Sequence, residues 1–415
     1  MAFPNLPTGT NQPPDTSGND FIGPIFKSGD KPSAISLVVG GFEYTGWERA
    51  TVNYAATDAA RAFAFTLTDA DNTAQAWDLL PGDEDILVLI DGEVVVTGHI
   101  DTMSPSYAAT NHTIEVSGRS LSADVIDSSH THPTSEFSGQ TLAQIAAALA
   151  PDGISITSDM PLNAIPNFRL QPAETIFAAL DRAAAKSGLF LQGTADGGIK
   201  ITKGGSRVVH PPLVEGQNIL AGSATFNNTD RHTTYRVHGQ RAFDQASKKT
   251  LQIQATAVDH SMRRKRNKVI VAETDVSQQE AQTLADWHRD RQLGESIKAH
   301  IRVVGTRDAN GRLWQVNTLI FVQSPMLRLA MQMVIQNVAI SQDKSGTFTA
   351  LSLVHPLALA SPAAVANRGE APDPEVISKA TAANRAEVNA ALNPDNITNQ
   401  IWLAKHTPIA NPVGG

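Results

Sequence analysis

Hydrophobic positions between Ser33 and Gly118 either alternate with polar ones or run in short blocks. Ile35–Val39 (ISLVV) leads into Gly40-Gly41, a hairpin signal. Ala62–Leu67 (AFAFTL) alternates, and Ile86–Ile90 (ILVLI) reads as a buried strand. Asp91-Gly92 then turns the chain into Val94–Thr97 (VVVT). His112–Ser117 alternates again. Gly118-Arg119 reads as its end, followed by one short helical turn carrying Asp124 and Asp127. Strand pairs joined by such turns predict a small barrel or sandwich over 33–128.

The period changes after that. Thr141–Leu149 predicts a short apolar helix stopped by Pro151. Pro172–Lys186 predicts a second helix, with Pro in the first turn and Gly188 as the stop. Leu189–Leu191 and Ile199–Ile201 form a hairpin across Asp196-Gly197-Gly198. Residues 129–217 therefore read as a small α+β module inserted into a β-rich chain. Strands return from 218 to 358: Thr233–Gly239, Leu251–Val258, Val269–Ala272, Ile297–Val304, Leu313–Val322, Met331–Ser341 and Thr347–Val354. One helix interrupts them, opened by a Ser277/Glu280 capping box and ended at Leu293 by Gly294. The pair Val94–Ser106 with His112–Ser117 resembles the pair Met331–Ser341 with Thr347–Val354, which suggests an internal duplication.

The ends differ from the middle. Residues 1–32 form a Pro- and Gly-rich arm, and 359–415 an Ala-, Pro- and Asn-rich tail with a helix expected from Asp373 to about Leu392. Neither holds enough apolar surface for a core of its own. Phe21, Ile25, Phe26 and Trp402 are among their large apolar groups, and are expected to anchor the ends on neighbouring proteins.

Composition adds limits. The 415 residues carry a net charge of -8, which disfavours free nucleic acid as the main partner. There is no cysteine, hence no disulfide, thiol nucleophile or thiolate metal site. The first residues, MAFPNLPTGTNQPP, do not read as a signal peptide, and no apolar run approaches the roughly 18 residues that span a bilayer.

Candidate chemistry is thin. No nucleophile elbow, P-loop, dinucleotide fingerprint or zincin motif is present. His130-Thr-His132 has the spacing of a metal pair but no third ligand at a motif distance, so a polar loop accounts for it. Arg263–Arg266 with Lys268 is a basic run without interleaved aromatics, and reads as a solvated loop. Asp69, Asp71 and Asn72 lack the Gly and the distant Glu of a calcium loop. Asp83, Glu84 and Asp85 sit together after a Pro-Gly turn, where glycosidase chemistry needs two carboxylates across a cleft. Trp47, Trp287 and Trp314 read as core. Neither a catalytic residue, a cofactor site nor a metal site is assigned.

The stretch Ile114-Glu-Val-Ser-Gly-Arg-Ser120, followed by Ala123-Asp-Val-Ile-Asp-Ser128, resembles the Gly-Arg-Ser…Ala-Asp-Leu-Val-Asp-Cys/Ser pattern of phage tail baseplate hub proteins of the Mu-like family. These are relatives of the late control protein D family and of type VI secretion spike hubs. Other blocks follow in the same order: Leu37–Trp47, Phe63–Asp69, Ile90–Gly98 with Ile100-Asp101, Leu313–Asn317, Met331–Ile335 and Gly346–Leu353. The resemblance spans residues 33 to 358. It implies a mainly β fold with an α+β insertion: two tube-like β-barrel domains flanking the module, plus extended arms. It also implies a homotrimeric ring that joins a hexameric tail tube protein to a trimeric central spike protein and touches other baseplate proteins. DNA would pass only transiently through the lumen, and no stable membrane association is expected. The location implied is the virion's tail baseplate, assembled in the host cytoplasm. Arg119 with Asp124 and Asp127 reads as a structural lock where the first strands meet the module, with Leu121 and Val125 facing inward. The rival readings are a phage-associated cell-wall hydrolase and a carbohydrate-binding protein.

Overall fold

Alternation decides which residues of each strand are sealed away from water, and through that the largest sheet. A computed structural model of the chain describes residues 35–45, 47–68, 85–108, 111–204, 209–240, 252–272 and 277–359. Its first strands are β1 (Ile35–Val39), β2 (Phe42–Tyr44), β3 (Arg49–Ala55), β4 (Ala62–Thr68), β5 (Ile86–Ile90), β6 (Glu93–Ala108) and β7 (Asn111–Ser120). The inserted part holds α1 (Ala123–Asp127), β8 (Glu136–Phe137), β9 (Gln140–Thr141), α2 (Leu142–Leu149), β10 (Ile156–Ser158), β11 (Ala164–Ile165), β12 (Phe168–Arg169), α3 (Ile176–Lys186), β13 (Phe190–Gly193) and β14 (Ile199–Thr202). After it come β15 (Val209–Val214), β16 (Ala221–Phe226), β17 (Thr234–Gln240), β18 (Gln252–Val258) and β19 (Asn267–Val271). Then follow α4 (Gln278–Glu295), β20 (Ile297–Val304), β21 (Leu319–Ser324), β22 (Leu329–Asp343) and β23 (Gly346–Val354), with a 3-10 turn at Pro356–Leu359.

Thirteen of these strands make one sheet, in the order β16-β20-β23-β22-β3-β4-β7-β6-β5-β1-β2, with β21 on β22 and β15 on β21. The order repeats. β3-β4-β7-β6-β5 in the first half matches β16-β20-β23-β22-β21 in the second, antiparallel throughout. The next strands differ, β1 running antiparallel to β5 and β15 parallel to β21. Even the bulges correspond: the β6–β7 register shifts between Ile100 and Thr102, and the β22–β23 register between Ile335 and Asn337. The duplication suggested by the two hairpins thus extends to five strands on each side. The halves are not separate barrels, however. The distal part of β22 pairs antiparallel with β3, from Asn337 opposite Ala55 to Asp343 opposite Arg49. One core therefore spans both, with Val52, Phe65, Val116, Ile301, Ile340 and Leu353 among its buried residues. The pairing closes into no barrel among the described residues.

The strand expected to break at Gly118-Arg119 runs on to Ser120. Gly118 is there for space: a Cβ would lie 2.1 Å from the His99 carbonyl and 2.6 Å from the Phe63 ring. The strand expected over Leu313–Val322 begins only at Leu319. Residues before it turn inward, burying Trp314, and Asn317 takes a left-handed φ of 60°.

The module has its own core, including Val125, Leu142, Ile145, Leu180, Leu191 and Ile199. Two boundaries move accordingly. Helix α1, expected with the first β unit, gives Val125 to this core, while β15, expected in the module, joins the long sheet. Helix α2 starts at a full capping box of Thr141 and Gln144. Helix α3 starts later than Pro172: Ala173 has φ 62°, and Thr175 Oγ1 caps by accepting from the Ala178 amide.

A third core lies between α4 and the sheet β18-β17-β19, where Tyr235, Val237, Ala255, Ala281 and Ala285 meet. The Ser277/Glu280 capping box opens α4 as expected. Gly294 does not end it, since the helix reaches Glu295. Instead Gly294 lets the 3-10 turn approach, for a Cβ would lie 2.2 Å from the Ala358 nitrogen.

Candidate functional site

The face of the long sheet opposite its core is built from small polar residues. The ladder registers set Ser341, Thr51, Ala64, Ser117 and Thr102 side by side across five strands. All of them are partly or fully exposed, while their chain neighbours Ile340, Val52, Phe65 and Val116 are buried. Period-two alternation produces this split. The groups on the polar side satisfy one another. Asn337 Nδ2 donates to Asn53 Oδ1 at 2.9 Å across the joint between the two halves. The His300 ring lies 3.1 Å from Ser352 Oγ, and Thr51 Oγ1 donates to the Ala64 carbonyl at 3.3 Å.

Charge collects away from the middle of this face. At one end Asp343 stands opposite Arg49, Glu115 lies near, and Lys344 pairs with Glu48 at 3.0 Å. Toward the β16 edge, β20 sets exposed Lys298 and Arg302 on either side of His300 on this face, with Arg302 4.0 Å over the Phe348 ring. A middle of hydroxyls, methyls and amides offers no row of cations. It is rows of Lys and Arg that make a surface hold phosphate.

Arg119 forms a junction lock with partly different partners from those expected. Its Nε donates to Asp101 Oδ2 and its Nη2 to Asp127 Oδ2, each at 2.7 Å. The exposed Asp124 is not one of its partners. The bulge after Ile100 brings Asp101 to Arg119, which sequence spacing along the helix does not reveal. Bonding to Arg119 holds the Asp127 carboxyl below its ordinary range, and bonding to Asp127 and Asp101 pushes Arg119 up. Val125 faces inward as expected, and Leu121 is half-buried.

A second junction was not legible in the sequence. Arg61 donates from Nη1 to the Val95 carbonyl at 2.8 Å and from Nε to the Gly193 carbonyl at 3.2 Å, tying sheet to module. Its guanidinium lies 4.7 Å over the Tyr54 ring. Burial pushes the Tyr54 hydroxyl up to about 12, and that hydroxyl donates to the Trp314 carbonyl at 2.6 Å. Nothing in the pattern around Arg61 separates it from a surface arginine.

His130 and His132 do not form a metal pair: His132 Nδ1 faces Thr134, and no group of three metal-ligating side chains occurs among the described residues. Arg263, Arg264 and Lys265 are exposed, as a solvated loop requires. Trp47 and Trp314 pack with the main core, while Trp287 is half-buried under Arg291. Phe21, Ile25, Phe26 and Trp402 lie outside the described residues, as do Asp69, Asp71, Asn72, Asp83 and Glu84.

Solved structures share this architecture. The 43 kDa tail protein of prophage MuSo2 from Shewanella oneidensis superposes with a TM-score of 0.71 at 29% identity, over 79% of this chain and 100% of that one. The tail protein from Neisseria meningitidis MC58 shares the fold, with a TM-score of 0.66 at 21% identity over 80% of this chain and 99% of that one. The fold class is that of phage tail proteins. Family models match in three stretches: Mu phage baseplate assembly protein GpP-like, N-terminal, over residues 34–120; baseplate hub protein gp44-like, second domain, over 122–203; and Mu phage baseplate assembly protein GpP, fourth domain, over 277–361. The baseplate hub protein gp44 of Escherichia phage Mu is 28% identical over 334 residues, 77% of this chain and 87% of that protein. The chain belongs to the Mu-like baseplate hub proteins.

Proposed function

We propose that this chain is the structural hub of a contractile-tail baseplate in the virion. In this reading it forms a homotrimeric ring joining a hexameric tail tube to a trimeric central spike. The polar sheet face lines a lumen through which DNA passes.

One observation carries the reading. The joint between the two repeats within a chain has a matching pair of edges left over. Inside the chain, distal β22 pairs with β3. The counterparts in the repeat are distal β6 and β16. Among the described residues β16 pairs only with β20, and β6 beyond Gly98 pairs only with β7. Nearly every residue of both segments is exposed. Unpaired edges are templates for another strand. The corresponding bulges and ladders carry the β22–β3 register over, setting Ser104 opposite Thr225, Ser106 opposite Ser223 and Ala108 opposite Ala221 of the next copy. A head-to-tail contact of this kind closes into a ring when the rotation fits. Three chains of two repeats would then present six similar units to a hexameric tube. Closure of the sheet comes from neighbours, which fits its open path within one chain. A central band of hydroxyl and methyl groups suits DNA that must slide without being held.

The arms belong to the same reading: Phe21, Ile25, Phe26 and Trp402 would dock on neighbouring subunits or other baseplate proteins. The readings as a cell-wall hydrolase or carbohydrate-binding protein gain no support from the strand order or the relatives.

The cysteine-free chain permits a direct test. Directly opposed antiparallel residues have Cα atoms about 4.5–5.5 Å apart, within reach of a disulfide. Ser104→Cys combined with Thr225→Cys should give covalent trimers when assembled particles are oxidised. The off-register pair Ser104→Cys with Ala221→Cys should not. Monomers alone, equal cross-linking of both pairs, or a particle reconstruction without three copies on the axis would reject the ring.

A further inference from the structure

The inserted module contains a cavity of about 640 Å³ that the hub reading does not use. It opens between the segment around His130, strand β12 and helix α3. Its wall includes His130, Asn167, Phe168, Arg169, Gln171 and Arg182, and none of its lining residues is acidic. Two nitrogen atoms of these residues, His130 Nδ1 and Arg182 Nε, are buried without a hydrogen-bond partner among the described residues. A buried polar group in that condition is costly, and a ligand that supplies the missing acceptor recovers the loss.

Arg182 is held ready. Its Nη2 donates to Glu174 Oε1 at 2.6 Å and to the Arg169 carbonyl at 3.0 Å. Its guanidinium lies 4.8 Å over the Phe168 ring. Glu174 is fixed in turn by the Gln171 amide at 2.6 Å. Both Arg182 contacts are made by Nη2 and leave Nε without a partner among the described residues. Arg169, paired loosely with Glu136 at 3.5 Å, adds a second cation at the rim.

We propose that this cavity binds a carboxylate, with Arg182 Nε and His130 Nδ1 as donors and Arg169 as the flanking cation. A carboxylate carries two oxygens, an acceptor for each donor. A bound carboxylate selects the ring form in which His130 Nδ1 carries the proton. Glu174 and Glu136 already offset much of the cationic charge, so a single negative charge suits the site better than a phosphate dianion. The apolar wall of Phe168, Leu170 and Pro172 suits the carbon chain behind the acid. The acid comes from a Glu or Asp of a peptide segment or from a small free acid. The inference rests on the module's residues alone and stands whether or not the chain forms a ring.

The test uses the full chain. Succinate and acetate form one arm. A Glu-containing peptide and its Gln counterpart form the other. Both are read by calorimetry and by the ¹⁵N shift of the His130 ring. Saturable binding of the Glu peptide but not the Gln peptide assigns a protein segment as the source. Binding of succinate or acetate assigns a small acid. Either result supports the proposal if Arg182→Lys and His130→Phe each weaken binding by about tenfold, the scale of one lost charge-assisted bond, and Arg169→Glu weakens it further. Thermal melts separate these losses from unfolding, and His130→Phe and Arg169→Glu leave the Glu174 pair intact. The proposal is overturned if no carboxylate binds, if the Gln peptide binds as well as the Glu peptide, or if inorganic phosphate binds more tightly than either acid.

Discussion

His210 and Asp308 illustrate what one residue decides. The His210 ring on β15 lies 2.8 Å from Asp308 Oδ2, with both side chains almost wholly buried. Asp308 Oδ1 also accepts from the amides of Asn310 and Arg312, each at 2.9 Å. The Asn310-Gly311 turn is therefore held by a carboxylate acting as in an Asx turn, with the Arg312 amide as a second donor. Burial pushes the Asp308 carboxyl up, but the Arg312 amide, the His210 ring and the Asn310 amide together hold it below its ordinary range. Its folded value lies under the unfolded one, about 3.9. The stability it confers is complete above that pH and is lost as pH falls through the folded value. Asp308→Asn should flatten that acid limb and cost roughly 1–3 kcal/mol at neutral pH, read from urea midpoints from pH 7 down to about 2. An unchanged acid limb would show that the pair does not carry it. Arg119 is the contrast. Its partners Asp101 and Asp127 are well exposed, so pairs of that kind contribute only about 0–1 kcal/mol.

At the scale of elements, glycine separates local preference from packing. Replacing Gly with Ala inside a helix ordinarily stabilises by about 1 kcal/mol. Gly294 lies within α4, yet its neighbour across the interface is backbone, with the Ala358 nitrogen 2.2 Å and the Leu357 carbonyl carbon 2.6 Å from an added Cβ. Backbone cannot rotate aside as a side chain can. The clash should outweigh the propensity gain, and Gly294→Ala should destabilise by roughly 1–3 kcal/mol. Stabilisation on thermal melting would mean that the 3-10 turn moves away freely. The same reasoning explains why Gly118 was misread as a strand end: the signal that marks a turn also marks a close approach.

For the whole molecule, the β22–β3 joint matters most. It merges the repeats into one core, so they should unfold together although the module separates them in sequence. Trp47 packs in the first half, 4.3 Å from Phe65, and Trp314 in the second. Variants retaining either tryptophan as sole probe should give coincident denaturation curves. Ile340→Ala, at the joint, should shift both curves by about 2–4 kcal/mol. Curves that separate, or a shift in one alone, would make the halves independent.

Much of this protein is set by local pattern. Alternation along Ala62–Leu67 and Ile297–Val304 specifies strand, face and core, because the side-chain period of a strand is fixed. Capping boxes at Thr141 and Ser277 specify helix starts, because their donors and acceptors lie within four residues. Family membership followed from the order of such blocks. What needed the tertiary structure depends on pairs far apart in sequence. The union of two repeats rests on β22 meeting β3, the Arg119–Asp101 bond on a bulge, and the Arg61 junction on a module folded against a loop. The cavity at Arg182 likewise needs α3, β12 and the His130 segment brought together. A one-dimensional pattern records which face of a strand is apolar. It does not record which other strand will cover its edge, because the backbone groups that pair there are the same in every residue but proline.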